Sequence, residues 1–243
     1  MTFLYFIRHA EAVSNVTPIF GGINHDQGLT LRGINQAEHL RDRLLTSRDL
    51  IPDVFISSTL PRARQTADII SPAFNLPIIL DDDIQELRPG LADGMTNEQV
   101  RAEFGMIEFY LEPFRPIAPD GESWASFNTR VARAVDRISR DHEGKKVVIV
   151  CHGGVIDAAF LYMIGIGAFK VPSIGFFTHN TSITEWEFVS KGARSQWRLR
   201  RYNDIGHLSG IEYVASPSWH AVEDFGDAEA SVPLPTEHSL SSD

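Results

Sequence analysis

The sequence predicts a three-layer α/β/α sandwich around a mostly parallel central sheet, with a small capping insertion. Short uncharged apolar runs alternate along the chain with amphipathic stretches of helical period. The run KVVIVC, Lys146 to Cys151, holds four consecutive branched apolar residues, as suits a strand buried on both faces. No internal repeat or heptad pattern offers another architecture.

Phe3 to Ile7 contains no charge, Gly or Pro and reads as a first buried strand that ends on Arg8-His9. Ser14-Asn15 and Gly21-Gly22 then read as loop. Leu31, Ile34, Ala37, Leu40 and Leu44 recur at helical spacing, so Thr30 is the expected N-cap of a surface helix that Pro52 stops. Val54 to Ile56 is a second strand, Ser57-Ser58-Thr59 a turn, and PRARQTADIISPAF a helix with Pro61 in its first turn. Leu76 to Leu80 is a third strand. The acidic, Gly-interrupted stretch after it is loop as far as Thr96, the expected cap of a helix over NEQVRAEFGMIEFYLE, residues 97–112. Residues 113–122 carry three prolines and a glycine and are irregular. Ser123 opens an amphipathic helix with Phe127, Val131, Ala134, Val135 and Ile138 on one face. After KVVIVC and His152-Gly153-Gly154 comes the helical VIDAAFLYMIG. Thr181 to Val189 and Trp197 to Tyr202 form the last pair of strands, the expected antiparallel exception.

Three regions follow: a catalytic-type domain over 1–215, an insertion over 93–122 lying across the sheet edge, and an acidic tail over 216–243 whose composition favours flexibility. Eight of the 32 acidic residues and no Lys or Arg fall in 202–243, so most of the net charge of −10 belongs to the tail. The body is near neutral, and bulk charge predicts neither nucleic-acid nor anionic-membrane binding. Cys151 is the single cysteine, which allows no intramolecular disulfide and fits a reducing cytoplasm. The first residues lack the basic segment of a signal peptide and no later run approaches a membrane span, so a soluble protein is expected.

Chemistry concentrates where strands end. Arg8 and His9 follow the first strand, Arg62 opens the helix after the second, and His152 follows KVVIVC. Parallel strands would bring these groups to one edge, where open α/β sheets bind ligands. Two guanidiniums, imidazoles, Asn15 and the free amides of helix starts suit a tetrahedral dianion, and phosphate is the obvious occupant. Gly153 and Gly154 let the backbone approach it.

Arg8-His9-Ala10-Glu11 with Asn15, the LTLRGINQA segment, SSTLPRARQTA around Arg62, Glu86, and His152-Gly153-Gly154 together resemble the histidine phosphatase superfamily, its phosphoglycerate-mutase-like branch 1 group. The resemblance spans about residues 3–190 in five ordered motifs. It implies a histidine acid-type phosphatase, a phosphoric monoester hydrolase with His9 as nucleophile. Arg8, Asn15, Arg62, His152 and Gly153 would bind the phosphoryl oxygens, and Glu86 would protonate the leaving oxygen. The nearby arginines should keep His9 neutral and stabilise the transferring group. No metal or other cofactor is needed by this chemistry, and the expected partner is a small phosphorylated metabolite. Dimerisation is common among relatives; no feature of the sequence fixes it.

The match departs from the family pattern at Ala10, where glycine is frequent, and at Leu91-Ala92-Asp93-Gly94, where a Trp-Glu-Gly run is frequent. Register selects Glu86 as the acid, with Asp82, Asp83 and Asp93 as nearby alternatives. Cys151 reads as core, Glu11 as a partner of local backbone, and His39 and His142 as solvated. His25, His179 and His207 fall in loops that could face the pocket, His207 foremost. Two other readings stand beside the phosphatase. One is a phosphoglycerate-mutase-type phosphotransferase, disfavoured because 93–122 holds only Arg101 and Arg115 as bases against seven carboxylates. The other is a phosphate-binding module without catalysis, disfavoured because a binder needs neither nucleophile nor acid.

Overall fold

A computed structural model describes residues 1–209 apart from 18, 107, 173, 192 and 193; the expected tail over 216–243 lies outside the described residues. Strands β1 (Thr2–Arg8), β2 (Val54–Ser58), β3 (Ile78–Asp81), β4 (Lys146–Cys151), β5 (Ile183–Lys191) and β6 (Arg194–Asp204) form one sheet in the order β3-β2-β4-β1-β5-β6. β1 to β4 are mutually parallel, and β5 is antiparallel to both β1 and β6. The exception to parallel order is therefore β5 alone, because β6 returns to the direction of β1.

Alternation along β1 divides the core. Leu4 and Phe6 point to one face, where they join Val147, Ile149 and residues of α5 (Trp124–Asp141) and α6 (Gly153–Met163). Tyr5 and Ile7 point to the other, with Phe55, Val148, Val150 and residues of α2 (Leu31–Ser47) and α3 (Pro61–Ile70). α1 (Val13–Val16) is a single short turn in the loop after β1.

Caps behave as local chemistry requires. The Thr30 hydroxyl accepts from the Gly33 amide, Thr96 from Gln99, and Ser123 from Ser126, at the starts of α2, α4 (Asn97–Phe104) and α5. The helix expected over 97–112 stops at Phe104. Gly105, at φ 83°, breaks it in the left-handed region, and Arg115 bonds the carbonyls of Phe104 and Met106 beyond the last turn. Later in 93–122, Ile117 and Ala118 are buried in the α5–α6 core, and Ile19 bridges Thr96, so the segment is tied to the body on two sides.

Register sets the site. Arg8 lies opposite Cys151 in the β1–β4 pair and Ser57 opposite Val150 in the β2–β4 pair, so His9, Ser58 and His152 emerge together at one sheet edge. Behind them α2 rests on the strand exit. A Cβ added at Gly33 would fall 2.0 Å from the Glu11 carbonyl oxygen. Backbone must move to relieve that clash, which outweighs the about 1 kcal/mol of helix propensity an alanine adds. Gly33→Ala should therefore destabilise by about 1–3 kcal/mol, read as a lower urea midpoint at unchanged slope; an unchanged or higher midpoint would contradict this packing.

Candidate active site

His9 is buried and its main-chain amide donates to the Cys151 carbonyl at 2.8 Å, so the β1–β4 ladder fixes its position. Its Nδ1 lies 2.7 Å from the Ala10 carbonyl oxygen. A carbonyl only accepts, so Nδ1 carries the ring proton and Nε2 keeps its lone pair. The Arg62 Nε donates to that Nε2 at 3.3 Å. Burial, then Arg62, then Arg8 hold the His9 pKa well below the ordinary histidine value. Sequence and burial thus produce a neutral imidazole with a bare nitrogen beside two cations.

The guanidiniums are themselves buried and held. Arg8 donates through Nη1 to the Thr178 carbonyl. Arg62 donates through Nη1 to the Gly21 carbonyl at 3.0 Å and to Asp26 at 2.7 Å, the Asp26 side chain being 1% exposed. His152, the N-cap residue of α6, is fully buried with its ring centroid 5.1 Å from that of His9, and its Nε2 is 2.8 Å from the Ser58 hydroxyl. Burial, Arg62 and His9 lower its pKa as well.

Glu86 reaches the same place from the loop after β3. Its Oε2 accepts from the Gly154 amide at 3.0 Å, in the first turn of α6, and its Oε1 from the Leu87 amide at 3.0 Å. Arg130 of α5 braces this loop by donating to the carbonyls of Asp83, Gln85 and Glu86 while paired with Glu122 at 2.6 Å. A cleft of about 290 Å³ opens beside Glu86, walled in part by Gly22, Leu60, Arg88, Asp93 and Asp120. Asp157, one turn along α6 from Gly154, is buried, which with Glu86 nearby raises its pKa well above the usual carboxylate value against the pull of Arg8.

Asn15 is half-buried, with Oδ1 accepting from the Ala12 amide at 3.0 Å and from Asn180 Nδ2 at 3.3 Å, so its own Nδ2 is the end left to donate. Asn180 Nδ2 also bonds the His9 carbonyl at 2.9 Å. The next residue, Thr181, stands at φ 58°, strained for a β-branched side chain, while its amide donates to the Arg8 carbonyl at 2.9 Å. Its hydroxyl donates to the Asn180 carbonyl and lies 2.8 Å from His207 Nε2.

The structure thus gathers Arg8, His9, Asn15, Arg62, Glu86, His152 and Gly153. His207 acts behind them through Thr181 instead of facing the pocket. His25 pairs with Asp93 at 3.3 Å, and His179 bonds Asn203. Cys151 is core, its thiol pushed up by burial. Glu11 differs from expectation: it binds the Thr30 hydroxyl at 2.7 Å and Arg32 at 2.6 Å, two side chains and not local backbone. Sequence reasoning gave no role to Asp26, Ser58, Arg130, Asp157 or Asn180. The run Thr178 to Ser182 held a signal in retrospect, since uninterrupted polar residues next to a core strand read as polar groups bonding buried backbone. Among the described residues, no group of three or more His, Cys, Asp or Glu is placed to hold a metal ion, and no helix is long and apolar enough to cross a membrane.

The profile described as histidine phosphatase superfamily (branch 1) matches residues 4–205. Phosphoserine phosphatase 1 of Hydrogenobacter thermophilus is 32% identical over 189 residues, covering 77% of this chain and 88% of the relative. The protein named "Probable phosphoglycerate mutase GpmB" from an Enterobacter species is 29% identical over 211 residues, covering 84% and 94%. The crystal structure of a mutant phosphoserine phosphatase from Entamoeba histolytica, in complex with phosphoserine, superposes with a TM-score of 0.69 at 26% identity, over 86% of this chain and all of that one.

The depressed histidines make stability depend on pH. A histidine whose folded pKa lies below its unfolded value stabilises the fold fully above the unfolded pKa, and the contribution is lost as pH falls towards the folded pKa. For His207, lowered by burial to about 4, the window runs from about 6.5 to about 4. Asp157 acts in the opposite sense, so the comparison must be differential. Between pH 6.5 and 4.5 the unfolding free energy of wild type should fall more steeply than that of His207→Asn, by up to about 1.4 kcal/mol per pH unit. Parallel urea-derived profiles would contradict the buried neutral state of His207.

Proposed function

The chain belongs to the histidine phosphatase superfamily (branch 1), and from that premise we propose that it is a phosphomonoesterase acting on a small phosphorylated metabolite through a phosphohistidine at His9. The observation that carries the reading is the bond from His9 Nδ1 to the Ala10 carbonyl, which keeps the Nε2 lone pair free of a proton where it accepts from the Arg62 Nε.

In this mechanism Nε2 attacks phosphorus and the bond from phosphorus to the leaving oxygen breaks. Glu86, as the carboxylic acid, supplies the proton that this oxygen needs. Arg8, Arg62, Asn15, His152 and the Gly153 amide bind the three equatorial oxygens, where cationic and amide donors stabilise the charge of a loose phosphoryl transition state. Water then attacks phosphorus, the Glu86 carboxylate accepts its proton, and the N–P electron pair returns to His9. Each proton and electron pair is accounted for without a metal ion. Residues 93–122 serve as the cap, and the leaving group occupies the cleft beside Glu86. The names of the relatives make phosphoserine a natural first substrate to test. The single buried cysteine supports a cytoplasmic setting.

The mutase reading asks for cations above the pocket to hold a second phosphate. Arg115 in the cap is spent on the carbonyls of Phe104 and Met106 and on Glu112, and Arg101 is exposed on α4. Arg88, which walls the cleft, is likewise engaged by the Gln85 side chain and the Asp82 carbonyl, and this distribution favours hydrolysis over retention of a bisphosphorylated intermediate.

Two variants test the assignment. Phosphate release from phosphoserine, sugar phosphates, phosphoglycerates and p-nitrophenyl phosphate should be lost in His9→Ala; release that persists would overturn the nucleophile. Glu86→Gln should lower kcat/KM about 10²- to 10⁴-fold on alkyl phosphates, and far less on p-nitrophenyl phosphate, whose leaving group needs no proton. Equal losses on both would deny Glu86 the acid role.

A further inference from the structure

His152 follows the last residue of β4 and is fully buried, so the location of its single ring proton is a structural decision. Its Nε2 is 2.8 Å from Ser58 Oγ, and its Nδ1 is buried with no hydrogen-bond partner among the described residues. Ser58 is fully buried and its Oγ already accepts from the Leu60 amide at 3.3 Å. The neighbouring Ser57 hydroxyl is spent on the Ser58 carbonyl at 3.0 Å.

Two arrangements are open. If Nε2–H donates to Ser58, the Ser58 hydroxyl hydrogen has no acceptor among the described residues, and Nδ1 presents a buried lone pair. An unprotonated phosphoryl oxygen only accepts, so that tautomer would set lone pair against lone pair. If Ser58 donates to Nε2, the hydroxyl is satisfied at both ends and the ring proton moves to Nδ1. One buried donor is then left, and an anionic oxygen is the acceptor it suits.

We propose that Ser58 is a positioning residue that fixes His152 in the Nδ1–H tautomer, so that a neutral imidazole can donate to a phosphoryl oxygen. His9 and His152 thereby carry the same tautomer for opposite purposes. In His9 a carbonyl holds Nδ1–H and frees Nε2 as a nucleophile; in His152 a hydroxyl holds Nε2 and frees Nδ1–H as a donor. The proposal rests on the reading of His152 as a ligand of the transferring phosphoryl group.

The direct test is ¹⁵N NMR of the full chain labelled at histidine, using long-range ¹H–¹⁵N correlations assigned with a His152→Gln variant. At pH 7.5 the His152 Nδ1 should show the shift of a protonated nitrogen and Nε2 that of a bare one. A protonated Nε2 overturns the proposal. In Ser58→Ala the preference should weaken or reverse, and kcat for p-nitrophenyl phosphate should fall about tenfold or more with a smaller change in KM. Ser58→Thr, which keeps the hydroxyl, should restore the wild-type pattern, and Ser57→Ala should keep the His152 tautomer. An unchanged tautomer with kcat within twofold in a folded Ser58→Ala also overturns it. Absence of phosphate release by wild type would count against the enzymatic reading alone, since the nitrogen shifts still decide the tautomer.

Discussion

The architecture depends on two buried guanidiniums placed close to one buried imidazole. Arg8 and Arg62 are each almost wholly out of water, a placement that costs several kcal/mol per ion unless every donor is met. The Thr178 carbonyl, the Gly21 carbonyl and the Asp26 carboxylate supply part of that compensation. Burial first, and then the same two cations, hold the His9 pKa well below the ordinary histidine value, so the cluster that is costly to bury also favours the neutral ring. Asp26, buried beside Arg62 at 2.7 Å, supplies the carboxylate that compensates this guanidinium.

Holding such a cluster demands a rigid frame, and the fold provides it through main chain. The β1–β4 register brings Arg8 and His152 to one edge, α6 begins there with the amide that binds Glu86, and Asn180 ties the His9 carbonyl to the Asn15 side chain. Thr181 holds a left-handed conformation that costs of the order of 1–3 kcal/mol, maintained by its bonds to Arg8, Asn180 and His207. Strain there is consistent with a segment shaped by the site more than by its own preferences.

The strands and their order of appearance were legible because parallel core strands read as unbroken apolar runs, and Arg8, His9, Arg62 and His152 were legible because they stand at the ends of those runs. Glu86 needed the family resemblance, since the acidic stretch from Asp81 to Glu86 has no periodicity to single one carboxylate out. The helix beyond Phe104 was misread because Gly105 falls inside an otherwise helical composition, and only a positive φ turns that glycine into a stop. Asp26, Ser58, Arg130 and Asn180 stayed hidden for a shared reason. Each acts across 36 or more residues of sequence on a carbonyl, a guanidinium or a ring nitrogen, and such pairings leave no local pattern.

The proposed function requires that a neutral His9 become phosphorylated. Rapid mixing with phosphoserine or p-nitrophenyl phosphate, alkaline quenching within milliseconds and peptide mass spectrometry would locate any phosphoryl group on the enzyme. An acid-labile, alkali-stable phosphoryl group on His9, absent from His9→Ala, is the expected result. Turnover of either substrate with no phosphorylated histidine at any quench time, or with the group on another residue, would contradict the account.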